Sequence, residues 1–160
     1  MCFDDQFPIQ YIDPVYRPPS EAHSLILPVT NGCSWNKCTF CEMYTDPQKK
    51  FSVRSEEIIL QEIQSAGEQV AGVRRIFLAD GDAMVLSLRR LETILEAIQE
   101  AFPSINRVSA YCLPRNVAKK STEELIRLKN LGLSMLYVGI ESGDDEVLKR
   151  INKGETIIST

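Results

Sequence analysis

The sequence of 160 residues predicts an α/β fold: about four parallel β-α units that form part of a (β/α) barrel. Short apolar runs at residues 24–29, 75–79, 107–112 and 135–140 indicate buried strands. Each run is followed by a stretch whose apolar residues repeat at helical spacing. Strands that alternate with helices in this way form parallel sheets joined by right-handed crossovers.

Composition and charge limit the classes of function. The chain is 44% hydrophobic and 25% charged, and its formal net charge is -4. No Lys/Arg cluster is longer than two adjacent residues, so sequence-independent nucleic-acid binding is not indicated. No apolar run approaches the roughly 20 residues that span a bilayer. The start of the chain also lacks the basic and apolar regions of a secretion signal, so we expect a cytoplasmic protein with no membrane partner.

Two regions are expected along the chain. Residues 1–23 contain four prolines and no sustained periodicity, which predicts an extended N-terminal segment. Residues 24–160 are expected to form a partial barrel core domain. Four units do not close a barrel, which typically takes about 250 residues. We therefore expect a truncated or split barrel whose C-terminal half is missing, particularly since residues 157–160 resemble the beginning of another element.

The first unit is distinguished by its long loop. A strand is predicted at Ser24–Val29, followed by a loop from Thr30 to about Arg54. Long loops on compact scaffolds are usually functional. A helix is expected to begin at Ser55 and to be stopped by Gly67.

The other units follow the same pattern with shorter loops. Serines are expected to cap their helices, because a serine side chain accepts hydrogen bonds from the first free amides of a helix. The predicted elements are strand Arg75–Ala79 with a helix capped by Ser87, strand Arg107–Cys112 with a helix from the capping box at Ser121 to Gly132, and strand Met135–Ile140 with a helix capped by Ser142 and ended near Gly154.

Three cysteines, Cys33, Cys38 and Cys41, crowd into nine residues of the first loop. This loop follows a strand directly and so lies at the carboxyl edge of the sheet, where active sites of such folds form. Three close thiolates suit an iron–sulfur cluster with one iron open to a ligand. Two alternatives remain open: a zinc site completed by His23 or Cys112, and an electron-transfer iron–sulfur module, for which three cysteines are one too few.

The cysteine loop resembles that of the radical S-adenosylmethionine (radical SAM) superfamily. Most members of that family have three and then two residues between the cysteines, whereas here the spacing is four and then two. The resemblance implies that Cys33, Cys38 and Cys41 hold a [4Fe–4S] cluster. It also implies that Phe40, the aromatic residue before the last cysteine, lies against the adenine of SAM.

Two further segments match the family. The Asp-Gly-Asp-Ala segment after the second strand resembles the Gly-Gly-Glu segment that binds the methionyl ammonium group. By this resemblance Gly81 allows a close backbone approach and Asp82 supplies the carboxylate. After the fourth strand, Glu141 or Ser142 stands where the family places its contact to the ribose hydroxyls, although Ser142 is also suited to be a helix N-cap.

The resemblance implies an enzyme that cleaves SAM reductively to a 5′-deoxyadenosyl radical, which abstracts hydrogen from a substrate. Its implied partners are an external one-electron reductant, flavodoxin- or ferredoxin-like, and a substrate that the sequence does not identify. Cys112 is expected to be a small buried residue or a hydrogen donor. Arg115 is expected to pair with a carboxylate of substrate or cofactor, or to be a solvated loop arginine.

Overall fold

A parallel sheet of four strands organises the chain, for which the computed structural model describes residues 7–160. A separate two-stranded antiparallel ribbon lies within the long first loop. In chain order the strands are β1 (Leu25–Pro28), β2 (Thr30–Asn31), β3 (Ser52–Val53), β4 (Arg75–Ala79), β5 (Arg107–Cys112) and β6 (Leu133–Val138), and the sheet order is β1-β4-β5-β6.

The helices cover one face of this sheet. Because side chains alternate between the two faces of a strand, every second strand residue meets the helices. Together they form a core whose members have almost no exposed area. The helices are α1 (Glu56–Gln69), α2 (Leu88–Ala101), α3 (Pro114–Val117), α4 (Thr122–Asn130) and α5 (Asp145–Arg150), and the core includes Leu27, Ile63, Ile76, Leu78, Leu91, Ile94, Ile98, Val108, Ala110 and Leu128.

The predicted α/β fold is confirmed, and two of its strands have the predicted bounds, Arg75–Ala79 and Arg107–Cys112. The fourth strand, predicted at Met135–Ile140, begins and ends two residues earlier. Leu133 is buried and pairs with Val108, and a bulge after Val108 shifts the register. The apolar pattern alone does not reveal such a bulge.

The ends of two helices differ from the prediction. Helix α1 continues through Gly67, where a Cβ atom would lie 2.9 Å from the Cβ of Ala101 in α2. Gly67 therefore allows two helices to approach closely instead of ending one. Helix α5 is capped by Asp144, whose side chain accepts hydrogen bonds from the next turn, and Ser142 is not its N-cap. The predicted caps Ser87 and Ser121 are confirmed, the latter in a full capping box.

The N-terminal segment is tied to the sheet by polar contacts. From residue 7 to residue 23 its regular structure is one short 3₁₀ turn, Pro19–Glu21. The Tyr11 hydroxyl donates to the Ile26 carbonyl at 2.9 Å. Glu21 is fully buried and accepts hydrogen bonds from Arg107 and Tyr137, both at 2.7 Å. Among the described residues, no helix is long and apolar enough to cross a membrane.

Candidate cluster and cofactor site

The three loop cysteines line one cavity. Cys33, Cys38 and Cys41 are half-buried free thiols in the loop between β2 and β3. The cavity has a volume of about 210 Å³ and lies at the carboxyl end of the sheet, as the sequence predicts. Its lining comprises the cysteines, Trp35, Asn36, Phe40, Met43, Tyr44, Gly81, Tyr111, Cys112, Leu113, Tyr137, Gly139, Glu141 and Lys153.

Gly81 is required by close packing against the loop that carries the three cysteines, residues 32–51, which we call the cluster loop. A Cβ atom at this position would lie 3.0 Å from the Cβ of Cys33 and 2.9 Å from the ring of Tyr44. The Gly81 amide donates to the carbonyl of Gly32 at 3.1 Å, directly before the first cysteine. The close approach seen at Gly81 is therefore to the backbone of the cluster loop, and the approach to a ligand that the sequence suggests stays a prediction.

A buried ion pair holds the same part of the loop. Lys49 and Asp80 are 1% and 2% exposed, and their Nζ and Oδ2 atoms are 2.5 Å apart. The same carboxylate oxygen of Asp80 accepts the Gly32 amide at 3.1 Å. Burial raises the pKa of Asp80, and the hydrogen bond from Lys49 opposes this effect. Removing one partner of such a buried pair typically costs about 3–5 kcal/mol.

The Asp82 carboxylate, which is predicted to bind the methionyl ammonium group, is enclosed by donors of the protein itself. It is fully buried and does not line the cavity. Its Oδ2 accepts hydrogen bonds from the Ser34 hydroxyl at 2.6 Å and from the Asn116 amide group at 2.5 Å, and its Oδ1 accepts the Leu113 amide at 3.1 Å. Burial raises the pKa of Asp82, and these hydrogen bonds oppose the effect. The partners of Asp82 in this structure are therefore protein groups.

Of the two residues expected at the ribose, Glu141 lines the cavity and Ser142 does not. Glu141 adopts a φ of 64°, a left-handed conformation that costs roughly 1–3 kcal/mol outside glycine. Its carboxylate accepts a hydrogen bond from Lys153 at 3.1 Å. The Ser142 hydroxyl accepts the Asp144 amide within the turn that leads to α5. Phe40 lies at the cavity with half of its surface exposed.

Lys153 is a cavity residue that the sequence analysis missed. Its side chain is only 7% exposed, and its amine is paired with the partly exposed Glu141. Burial raises the pKa of Cys38, and the positive charge of Lys153 acts in the opposite direction. The signal in the sequence is the Asn-Lys-Gly-Glu stretch after α5, where Asn152 and Gly154 both take positive φ and turn the chain back to the cavity.

Arg115 is held by groups of the protein itself and is not a solvated loop arginine. Its guanidinium carbon lies 4.4 Å above the ring centroid of Trp35. The Arg115 Nε atom pairs with the buried Glu155 carboxylate at 2.8 Å, and Nη2 donates to the Gly154 carbonyl at 2.6 Å. The Trp35 indole donates to the Asn152 carbonyl at 2.8 Å. Arg115 thus joins the cluster loop to the turn that follows α5.

This turn, residues 151–155, contacts the loop at two further points. The Thr39 amide donates to the Ile151 carbonyl at 2.9 Å, and the Asn152 side chain donates to the Lys37 carbonyl at 2.9 Å. One of these contacts lies on each side of Cys38 in the sequence. The cluster loop is therefore held at its beginning by the segment after β4 and in its middle by the 151–155 turn.

His23 and Cys112, the two residues proposed to complete a zinc site, are not arranged with the loop cysteines around one possible metal ion in the described part of the chain. His23 is exposed and precedes β1, whereas Cys112 is buried at the cavity wall. Burial raises the pKa of the Cys112 thiol to about 12. Within residues 7–160, no three His, Cys, Asp or Glu side chains are arranged around one possible metal ion. A cubane cluster gives each thiolate its own iron, so its ligands need not converge on one point. Cys2 lies outside the described residues.

The comparison with known families decides the membership. The sequence from residue 27 to residue 157 matches the family model described as the radical SAM superfamily. The chain belongs to this superfamily. The match covers all three loop cysteines, the segment after β4 and the 151–155 turn. The predicted family is therefore confirmed.

Relatives of this radical SAM chain are longer proteins. A Methanocaldococcus jannaschii protein, provisionally named a methylthiotransferase, is 26% identical over 126 residues, which are 77% of this chain and 27% of the relative. The hopanoid C-3 methylase of Methylococcus capsulatus is 30% identical over 125 residues, 78% of this chain and 22% of the relative. The chain thus spans about a quarter of the length of the curated relatives it matches.

A solved structure supports the fold. The cobalamin-dependent SAM radical enzyme OxsB, with aqua-cobalamin and SAM bound, superposes with a TM-score of 0.63 at 23% identity. The match covers 85% of this chain and 21% of OxsB. The parallel arrangement of strands and helices in this radical SAM chain therefore corresponds to part of a known radical SAM structure.

Proposed function

We propose that this chain is the cluster-binding part of a radical SAM enzyme, in which Cys33, Cys38 and Cys41 hold a [4Fe–4S] cluster. The observation that carries the proposal is that these three thiols line one cavity together with Phe40 and Glu141. The cavity lies at the edge of the sheet where folds of this kind place their active sites.

The donor set suits the proposed cluster. Three cysteine thiolates are the ligands that iron–sulfur centres prefer, and three ligands on four irons leave one iron for SAM. When bound, the cluster supplies one electron to the sulfonium of SAM, so that the carbon–sulfur bond breaks to give methionine and a 5′-deoxyadenosyl radical that abstracts hydrogen from a substrate. The protein contributes placement and the exclusion of water.

The charged residues of the cavity suit the polar ends of SAM. We assign the ribose hydroxyls to the carboxylate of Glu141 and the methionyl carboxylate to the amine of Lys153. Within residues 7–160 the buried Lys153 pairs with one carboxylate, that of Glu141, so a second anion at the cavity would help to compensate its charge. The half-exposed ring of Phe40 offers an apolar face for the adenine.

The proposal includes an external one-electron reductant, flavodoxin- or ferredoxin-like, because the described residues contain the ligands of one cluster and the family chemistry consumes one electron per cleavage. The names of the relatives include a methylthiotransferase and a methylase. These names differ in the group transferred, so the proposal stops at hydrogen abstraction from a substrate and assigns no product.

Metal analysis tests the ligand assignment. The anaerobically reconstituted protein is expected to bind about four iron and four sulfide per chain. Cys33→Ala, Cys38→Ala and Cys41→Ala should each lose the full cluster, whereas Cys112→Ala, at the wall of the same cavity, should retain it. A full cluster in any of the three loop variants, or tight stoichiometric zinc in the purified wild type, would contradict the proposal.

Spectroscopy then tests the chemistry. With dithionite and SAM added to the loaded wild type, the electron paramagnetic resonance signal should change and 5′-deoxyadenosine should be released slowly even without substrate. A fully loaded wild type that does neither carries a structural or electron-transfer cluster, and the radical function is then wrong.

A further inference from the structure

Three donors from three parts of the chain converge on the Asp82 carboxylate. The Ser34 hydroxyl comes from the cluster loop, the Leu113 amide from the residue after β5, and the Asn116 side chain from α3. Asp82 has no exposed surface and does not line the cavity. Its carboxylate therefore faces protein donors and not the space in which SAM would bind.

Cys33 lies between Gly32 and Ser34, and both neighbours are hydrogen-bonded to the segment 80–82 that follows β4. Gly32, on one side, accepts the Gly81 amide and donates its own amide to Asp80. Ser34, on the other side, donates to Asp82. The same Asp82 carboxylate is anchored to Leu113, which follows Cys112 at the carboxyl end of the sheet.

We propose that Asp82 is a positioning residue that fixes the Cys33 end of the cluster loop against the carboxyl end of β5 and makes no contact with SAM. This inference rests on the proposed function and deepens it, because it states how the first cluster ligand is held. A carboxylate is suited to this place since its two oxygens accept from all three donors. An amide has one acceptor oxygen, and its NH₂ group would face a donor.

The test uses three variants that act on one group of hydrogen bonds. Asp82→Asn replaces the acceptor, while Ser34→Ala and Asn116→Ala each remove one donor at a residue outside the cavity lining. Ser87→Ala is the matched control, because it removes a capping hydrogen bond of α2 that involves neither Asp82 nor a residue of the cluster loop. Circular dichroism identifies folded variants, and Ser34→Ala carries the test if Asp82→Asn does not fold.

The first measurement needs no cluster. In the metal-free protein, Asp82→Asn and Ser34→Ala should increase the alkylation rate of Cys33, read by mass spectrometry, and leave that of Cys41 unchanged. Ser87→Ala should match the wild type. Unchanged alkylation of Cys33 in both variants would overturn the inference, whatever the outcome for the cluster.

The second measurement separates positioning from SAM binding. In reconstituted protein, the three variants should shift the reduction midpoint potential of the cluster or its resonance g-values in a common direction. In the cluster-loaded fraction the dissociation constant of SAM should stay within about twofold of wild type, because sites that share no partner act almost independently. A contact to the methionyl ammonium predicts the reverse: about a tenfold to hundredfold loss of affinity in Asp82→Asn alone, with an unchanged cluster signal. That result would overturn the inference and leave the proposed function intact.

Discussion

The buried amine of Lys153 gives a prediction for cofactor binding. Replacing Lys153 by Met keeps a chain of similar length and removes the charge, so SAM affinity should fall about tenfold to hundredfold, the value of a charged hydrogen bond of 1.5–3 kcal/mol. Glu141→Gln should weaken binding in the same direction. Equilibrium binding to the cluster-loaded protein measures both, and Lys149→Met, an exposed lysine of α5, serves as the control. Wild-type affinity in Lys153→Met, with a full cluster, would remove this residue from the site.

The buried thiol of Cys112 gives a prediction for the pH dependence of stability. Its folded pKa, about 12, lies above that of an unfolded thiol, about 8.5, so the unfolded state ionises first and stability is lost as the pH rises between these values. Cys112→Ala should therefore lose about 1–2 kcal/mol less free energy of unfolding than wild type between pH 8.5 and pH 10.5. Urea unfolding of the reduced, metal-free proteins measures the difference. Parallel pH profiles would show that this thiol ionises in the folded state.

The cysteines and Phe40 could be predicted as site residues because they stand close together in the sequence. Three cysteines within nine residues and an aromatic beside the last are visible in the chain, and the structure brings them to one cavity with Glu141. The partners of Asp82 lie 31, 34 and 48 residues away, so its burial is set by tertiary contacts that no local pattern contains. The Asn-Lys-Gly-Glu stretch signals the turn that carries Lys153, but the burial of this lysine at the cavity likewise depends on tertiary contacts.

At the scale of elements, the contact between the cluster loop and the 151–155 turn can be observed directly, because Trp35 is the only tryptophan. Arg115→Met removes the guanidinium above the indole and the ion pair with Glu155. We expect stronger quenching of tryptophan fluorescence by acrylamide and faster loss of the cluster to a chelator. Arg127→Met, which breaks an exposed pair with Glu92, should change neither. Wild-type quenching in Arg115→Met would mean that the turn does not shield the loop.

The strands and helices of the core were more predictable than their ends. Apolar periodicity located the four strands of the sheet, since burial on the helix-facing side demands it. The ends depended on other forces: a bulge after Val108 moved β6, and close packing against Ala101 allowed α1 to pass through Gly67. The short helix α3 was not predicted because four residues are too few to show a period.

For the whole molecule, β6 and β1 are the two outer strands of the sheet as far as the structure describes it, and the outer edge of β6 bears exposed apolar side chains. Met135 and Val138 of this strand are 39% and 38% exposed. Unpaired strand edges associate with one another, so the isolated chain is expected to self-associate with rising concentration in size-exclusion chromatography. Val138→Lys should shift the elution towards the monomer, because a charge at the edge opposes pairing. Ile58→Lys, on α1, should not.

A well-dispersed monomer at every concentration would contradict this expectation. The partial barrel could be predicted from the apolar pattern of its strands, but the association of its unpaired edge could not. Periodicity reports which side of each strand is buried, but the energy of an unpaired edge depends on what meets it in solution.

The contacts that hold the cluster loop also set an order of events. Trp35 meets Asn152, and Asn152 meets Lys37, across 117 and 115 residues of sequence. Contacts between such distant residues form late, because much chain entropy is lost before they bring any gain. During synthesis the cysteines leave the ribosome long before α5 and the turn beyond it exist. We therefore expect the loop to acquire its final shape only after this turn has folded onto it, so that the three cysteines come together late in the folding of this part of the chain.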